Sequence, residues 1–404
     1  MFKEYRGLRK EIYILCFGKM VTNMGALIWP MLTLILSNKM GCSAGEIATI
    51  MLIMTIVSIP FTILGGKLAD KVNKKNLIVI CDSVTIISYF IMGLIPLGKF
   101  AIALFFIAGL FANMEGPAYD AITADLTSSE DRERAYSLNY LGANLGLVLA
   151  PTLGGILFEN YLNVAFFINA FSTLSSTLLI FFFVKDISKV KSDNDYEDVH
   201  EGNLFEVLKD RKVLYLYFFI TCIGSLVYSQ FNYLMPLQLE SIFQTKGAVF
   251  FGTITSVNCI VVLLCTPLFT NLTNRRHDVV KMILGEVFIT LGYVIFVRSN
   301  TLIWLYYISI TIFTFGEILN TLGSSPYYTK RIPSSHRGRI IAVSMVFCNV
   351  IQAIFQKGVG YVVDSFGYSI AWNVVIVCGI VNVVLLIVLL KLDKIRFPLL
   401  ASKK

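Results

Sequence analysis

The chain has 404 residues, of which 56% are apolar and only 15% charged, with a formal net charge of +8. Soluble proteins carry roughly 25% charged residues. The deficit excludes a disordered chain, argues against a soluble multidomain enzyme, and points to a protein whose solvent is lipid.

Apolar segments long enough to cross a bilayer, about 20 residues each, recur along the whole chain. They read 12–38, 46–66, 77–97, 101–125, 135–158, 163–184, 213–239, 248–270, 279–297, 301–328, 340–363 and 368–390, twelve in all. The breaks are short and carry turn or charge signals, such as Ser37-Asn38-Lys39 and Arg298-Ser299-Asn300. The first segment is too long for a signal-peptide core and no small-residue cleavage site follows it, so a retained helix is expected.

The basic residues set the orientation. Alternate loops, counted from the N-terminus, hold 28 of the 34 Lys and Arg, and the opposite loops hold only Lys39, Lys99, Lys246 and Arg298. That alternation predicts both termini and the central loop on the cytoplasmic side of a cell membrane. It also removes nucleic acid as a partner, because the positive charge is a topology signal. The eight Cys are scattered, without a CxxC or a Cys/His cluster. They read as small apolar residues, with no disulfide framework, metal site or cofactor expected.

Lys185 to Lys212 is the only long hydrophilic loop, with 14 charged residues in 28. It divides the chain into an N-terminal six-helix bundle (1–185), a cytoplasmic linker (186–211) and a C-terminal six-helix bundle (212–404). The halves repeat each other. Leu126-Thr-Ser-Ser-Glu130 with Arg132 and Arg134 returns as Ile332-Pro-Ser-Ser-His336 with Arg337 and Arg339. Gly155-Ile-Leu-Phe-Glu159 returns as Gly360-Tyr-Val-Val-Asp364, and Ala165-Phe166 as Ala371-Trp372. A constant offset of 205–206 residues implies duplication of a six-helix unit, a layout used by secondary transporters with a midplane site between the halves. The predicted fold class is an all-α integral membrane protein with two pseudo-symmetric bundles.

After the second segment the chain reads Gly66-Lys-Leu-Ala-Asp70-Lys71-Val-Asn73-Lys74-Lys75. This resembles the signature G-x-L-x-D-R-x-G-R-K of the major facilitator superfamily, with Lys71 for Arg and Asn73 for the second Gly. Asn is the non-Gly residue that best tolerates a left-handed turn, and Gly66 would permit close helix contact. The fifth segment, Gly142-x3-Gly146-x4-Pro151-x2-Gly154-Gly155, resembles the Gly/Pro-rich motif of the superfamily's export-type antiporters, with Ala150 where Gly is usual. Small residues at these spacings bring helix backbones together, and Pro151 permits a kink. The resemblance implies a cytoplasmic latch built from Gly66, Asp70, Lys71, Asp125, Arg132 and Arg134.

Charges inside the spans are the mechanistic clue, since each costs roughly 2.5–3.5 kcal/mol at a helix centre on insertion scales. They are Lys19, Glu115, Asp120, Glu286, Glu317 and Lys357. Thr314, Glu317, Thr321 and Ser324 share one helix face. Asn349, Gln352 and Gln356 form a second stripe beside Lys357, and Lys19 and Asn23 lie one turn apart. Such stripes face protein or a water-filled cavity, not lipid. Gly316-Glu317 resembles a helix-ten motif of the multidrug-efflux branch, in which the acid takes up a proton as substrate leaves. Glu317 and Glu115 are therefore the expected proton-coupling residues, each with a structural ion pair as the alternative (Glu317 with Lys357, Glu115 with Lys19). Lys19, Asn23, Tyr119, Thr314, Thr321, Gln352, Gln356 and Lys357 are expected to line the substrate cavity. Glu286 reads rather as a buried hydrogen-bonded residue than as a functional one, because the resemblance implies a peripheral place for its helix.

The resemblance implies a proton-coupled exporter of a small amphipathic compound, working by rocker-switch alternating access in a bacterial cell membrane as a monomer. An importer of a peptide, sugar or metabolite, a lipid flippase, and a sensor without transport are the alternatives on the same fold. No HExxH, GxSxG, paired-Cys or P-loop pattern supports an enzyme.

Overall fold

A computed structural model describes residues 7–127, 129–184, 213–273, 276–299, 301–332 and 334–396. The linker expected at 186–211 lies outside the described residues, as do the side chains of Asp70, Arg132, Arg337 and Arg339.

The described residues are helical, with no strand among them. The first six crossings comprise α1 (Lys10–Met24) with α2 (Ile28–Leu34), α3 (Ala44–Lys71), α4 (Lys74–Leu94), α5 (Lys99–Asp125), α6 (Ser129–Leu147) with α7 (Ala150–Leu157), and α8 (Leu162–Phe183). After the central loop come α9 (Val213–Tyr228), α10 (Leu234–Phe243), α11 (Gly247–Thr273), α12 (Asp278–Arg298), α13 (Ile303–Arg331), α14 (Ser334–Phe366) and α15 (Tyr368–Arg396). Helices are the open-chain solution in lipid, because each satisfies its backbone polar groups internally. Ser and Thr inside the spans follow the same rule: Thr62, Thr221 and Thr314 each donate to the carbonyl four residues back.

Among the described residues, eleven helical runs are long and apolar enough to cross a membrane. One of them, Val213–Thr273, has 61 residues. At 1.5 Å per residue it would reach about three times the hydrocarbon thickness as one rod. It contains a reversal instead. Gln244 has φ +49°, and a Cβ on Gly247 would fall 2.6 Å from the Glu240 Cα. Residues 213–243 and 247–273 are therefore two helical limbs joined by a turn, not one rod.

The chain forms two compact units. The first holds α1, α2, α3 from Ile53 onward, α4 to α8, and Leu239–Cys259; the second holds Ser43–Leu52, the chain up to Gln238, and everything from Ile260. Each unit thus borrows a short piece from the other half of the sequence. In the first unit a Cβ on Gly155 would meet the Ala248 carbonyl at 2.5 Å, on the opening turn of α11. In the second, the repeat-related Gly360 meets the Ala44 carbonyl at 2.8 Å, on the opening turn of α3. There Asp364 accepts from Ala44 N (3.1 Å) and Gly45 N (2.8 Å), capping two of the helix's orphan donors.

Helices α1 and α6 lie side by side through glycine. A Cβ on Gly142 would strike Cys16, one on Gly146 the Met20 carbonyl, and one on Gly154 the Leu27 carbonyl, all within 2.7 Å. Pro151 sits in the first turn of α7, just past a break in the helix at Val148-Leu149.

Two features depart from the sequence reading. Cys222 on α9 and Cys348 on α14 form a disulfide, with Cα atoms 4.7 Å apart and a sequence separation of 126. Reading every cysteine as a small apolar residue failed here because only the fold makes the two helices neighbours. Thiol titration of the denatured protein should therefore find six reactive thiols before reduction and eight after it. Eight before reduction would disprove the bond.

The second departure is a buried ionic cluster. Arg331, 1% exposed, donates from Nε and Nη2 to the two oxygens of Asp393 at 2.7 and 2.5 Å. Tyr327 OH donates to Asp393 at 3.1 Å, and Asp278 Oδ2 lies 3.5 Å from Arg331 Nη1. His277 accepts from Val279 N on Nδ1, which puts its proton on Nε2, 3.3 Å from Asp393. The end of α13, the start of α12 and the last turns of α15 are fastened by one guanidinium.

Candidate functional site

Each unit contains its own polar centre. In the second unit a cavity of about 310 Å³ opens among α9, α12, α13, α14 and α15. Glu317, Thr321 and Ser324 share its α13 wall, as their spacing requires. Tyr228 donates to Glu317 Oε1 at 3.0 Å, so the carboxylate is held by a phenol across from its own helix. Thr321 lines the cavity while its hydroxyl bonds back to the Glu317 carbonyl. Thr314, fully buried, sits one turn deeper in the protein. Gln352 lines the cavity and Gln356 is buried, whereas Lys357 is exposed and not part of the cavity wall.

Glu286 belongs to the same cavity. It is 1% exposed, and its helix α12 is not peripheral to the polar centre. Gly285 and Gly292 bring α12 against the α13 backbone, each within 3.0 Å of a carbonyl or amide were a Cβ added. That contact turns Glu286 inward, toward Asn320 Nδ2 at 3.4 Å.

In the first unit a smaller cavity, about 220 Å³, is lined by Lys19, Tyr119, Asp120, Thr123 and Asn139 among others. Asn23 is committed elsewhere: its amide donates to the Ala143 carbonyl at 3.2 Å, beside the Gly146 contact. Lys19 acts on Glu115 and Asp120 through its field. The direct partner of Glu115 is Asp82 on α4, within hydrogen-bonding reach. Asp82 is 4% exposed and accepts from Thr177 at 2.6 Å. Two acids thus face each other inside the first unit.

The loop joining α3 and α4 is tied to α5. Lys74 Nζ lies 2.9 Å from Asp125, both side chains largely buried. Arg134 pairs with Asp131, three residues before it on α6, and Lys71 ends α3. Asn73 is not in a left-handed turn: its φ is −63°, and its side chain accepts from Lys75 N and Asn76 N. It replaces the motif's glycine by capping α4, which supplies acceptors that glycine lacks. The close helix contact also falls one residue from its expected place. A Cβ on Gly66 would meet open space, while one on Gly65 would fall 2.1 Å from the Met114 carbonyl.

Sequence reasoning missed Asp82, Asn320 and Asn382. Asp82 had a signal: it is an acid inside the third predicted span. The two asparagines had none beyond polarity.

The family model described as Major Facilitator Superfamily matches residues 15–356. The chain belongs to that superfamily. It is a multi-pass membrane transporter rather than an enzyme. Among similar curated proteins, the "Na(+), Li(+), K(+)/H(+) antiporter" of Planococcus maritimus is 21% identical over 79% of this chain and 81% of its own. The "Quinolone resistance protein NorA" of Staphylococcus aureus is 26% identical over 38% of this chain and 39% of its own. Among solved structures, a POT family transporter in complex with a thioalcohol-conjugated peptide superposes with a TM-score of 0.79. It is 13% identical and covers 97% of this chain and 99% of its own, a likeness of fold.

Proposed function

We propose that the protein is a proton-coupled antiporter that exports a small amphipathic compound by rocker-switch alternating access across a bacterial cell membrane. The observation that carries the coupling is the Asp82–Glu115 pair, two carboxyls sharing a site within the spans. Buried acids in a membrane are retained for ion or proton traffic. Glu317, held by Tyr228 on the larger cavity, is the second coupling acid. Export is favoured by the glycine-packed α1/α6 seam and by relatives named as an antiporter and a quinolone resistance protein. The Lys74–Asp125 pair supplies a latch for the cytoplasmic side, released and remade as the halves rock.

A screen of amphipathic compounds for thermal stabilisation of the purified protein, with flux of each hit in proteoliposomes under an imposed pH gradient, tests this reading. Substrate should move against the direction of proton flow. Movement with the protons would make the protein an importer. Glu317→Gln should abolish gradient-driven flux and leave the elution profile and unfolding midpoint of the protein unchanged. Undiminished flux would remove Glu317 from the mechanism.

A further inference from the structure

Three buried oxygens in the second unit have no hydrogen-bond partner among the described residues: Glu286 Oε1, Thr290 Oγ1 and Asn382 Oδ1. Their residues are 1%, 8% and 2% exposed. Glu286 and Thr290 stand one turn apart on α12, and Asn382 stands on α15 against them. Gly379, one turn before Asn382, lies so close to Thr290 that a Cβ there would strike its hydroxyl. The third side is bare backbone: Gly224 on α9 faces both the Asn382 amide and Glu286 Oε2.

An unpaired acceptor buried this deeply costs about 1–3 kcal/mol, and more when it is charged. Three such residues, packed against one another on α12 and α15, leave a carboxylate oxygen, an amide oxygen and a hydroxyl to be met by something outside the chain. Among the described residues, no Lys, Arg or His lines the cavity. A proton on Glu286 would satisfy one pair of these oxygens and leave the third. A small cation serves all three together, and carboxylate, amide carbonyl and hydroxyl are the oxygen donors that hard cations take. Glu286 supplies one negative charge, which suits a monovalent ion, and the cavity leaves room for water to complete the shell. We infer that Glu286, Thr290 and Asn382 form a binding site for an alkali-metal cation in the second unit.

The other titratable groups facing this wall are Glu317 on α13, Tyr228 on α9 and Tyr293 on α12. Of these, only Glu317 is an acid, and Tyr228 holds it. The site does not depend on the direction of transport, and the test needs no organic substrate.

Equilibrium binding of radioactive sodium ion to the purified full-length protein, at pH 8.5 and constant ionic strength in choline chloride, tests the site. Wild type should bind saturably, with competition by lithium or potassium and none by choline. Glu286→Gln should weaken binding at least tenfold, and Asn382→Asp, which adds a second carboxylate, should strengthen it. Size-exclusion profile and unfolding midpoint in choline alone identify variants that have not folded, and Asn382→Asp decides if Glu286→Gln is one of them. No saturable binding by wild type would overturn the site. So would unchanged binding by folded Glu286→Gln, or weaker binding by folded Asn382→Asp. None of these outcomes bears on proton-driven export, which the flux assay decides separately.

Discussion

Asp393→Ala should destabilise the protein by about 3–5 kcal/mol, the range found when one partner of a buried ion pair is removed. The reason is the company Asp393 keeps. Its two oxygens are met by the Arg331 fork at 2.7 and 2.5 Å, by Tyr327 at 3.1 Å and by His277 at 3.3 Å, and neither Asp393 nor Arg331 is more than 1% exposed. Alanine would leave a guanidinium buried, with Asp278 at 3.5 Å as a remaining counter-charge at longer range. The Tyr327 ring, 3.9 Å from the guanidinium carbon, adds a weaker attraction that does not replace a carboxylate. Unfolding in mixed micelles measures the loss. Asp393→Asn keeps the shape and the Tyr327 bond and should lose less. The double substitution Arg331→Met with Asp393→Leu removes both charges and should recover most of the loss, since the charge left alone is what costs. A single-variant loss under about 0.5 kcal/mol, the level of an ordinary surface substitution, would show that water reaches the cluster.

The sequence made the framework readable because lipid allows few solutions. Segment length and the alternation of basic loops depend on local composition, and the spans at 77–97 or 163–184 coincide with α4 and α8 to within a few residues. The glycine seam was legible for the same reason: Gly142, Gly146 and Gly154 repeat at helical spacing, and a missing side chain has one common use between helices. Contacts across the fold were not legible. Arg331 read as one more topology-setting charge, because its partner is 62 residues away. Cys222 and Cys348 looked like any other small apolar residues. Asn73 shows a finer limit. Its substitution for glycine was noticed, but two physical roles fit an asparagine at a helix start, and the side-chain cap won over the left-handed turn. The resemblance implies a peripheral helix for Glu286, yet Gly285 and Gly292 draw that helix onto α13 and aim the carboxylate inward.

Substitution at the acid pair of the first unit should also have a large effect on transport. Asp82→Asn and Glu115→Gln should each lower proton-driven flux by about 100-fold or more, the range expected when a proton-transfer group is lost. Both keep the shape of the site. In Asp82→Asn the amide oxygen would still accept from Thr177, which now donates to Asp82 at 2.6 Å. An amide also mimics the protonated member of the pair, so either variant fixes the site in one charge state. Exchange of substrate down its own gradient needs no change of charge and should survive, whereas accumulation against a gradient should fail. That split separates a coupling role from a collapsed cavity, which would end both. The double variant should be no worse than the worse single one, because two groups that share a proton act as one unit. Losses that multiply in the double variant would mean that Asp82 and Glu115 act separately, and the pair would cease to be the carrier of the coupled proton.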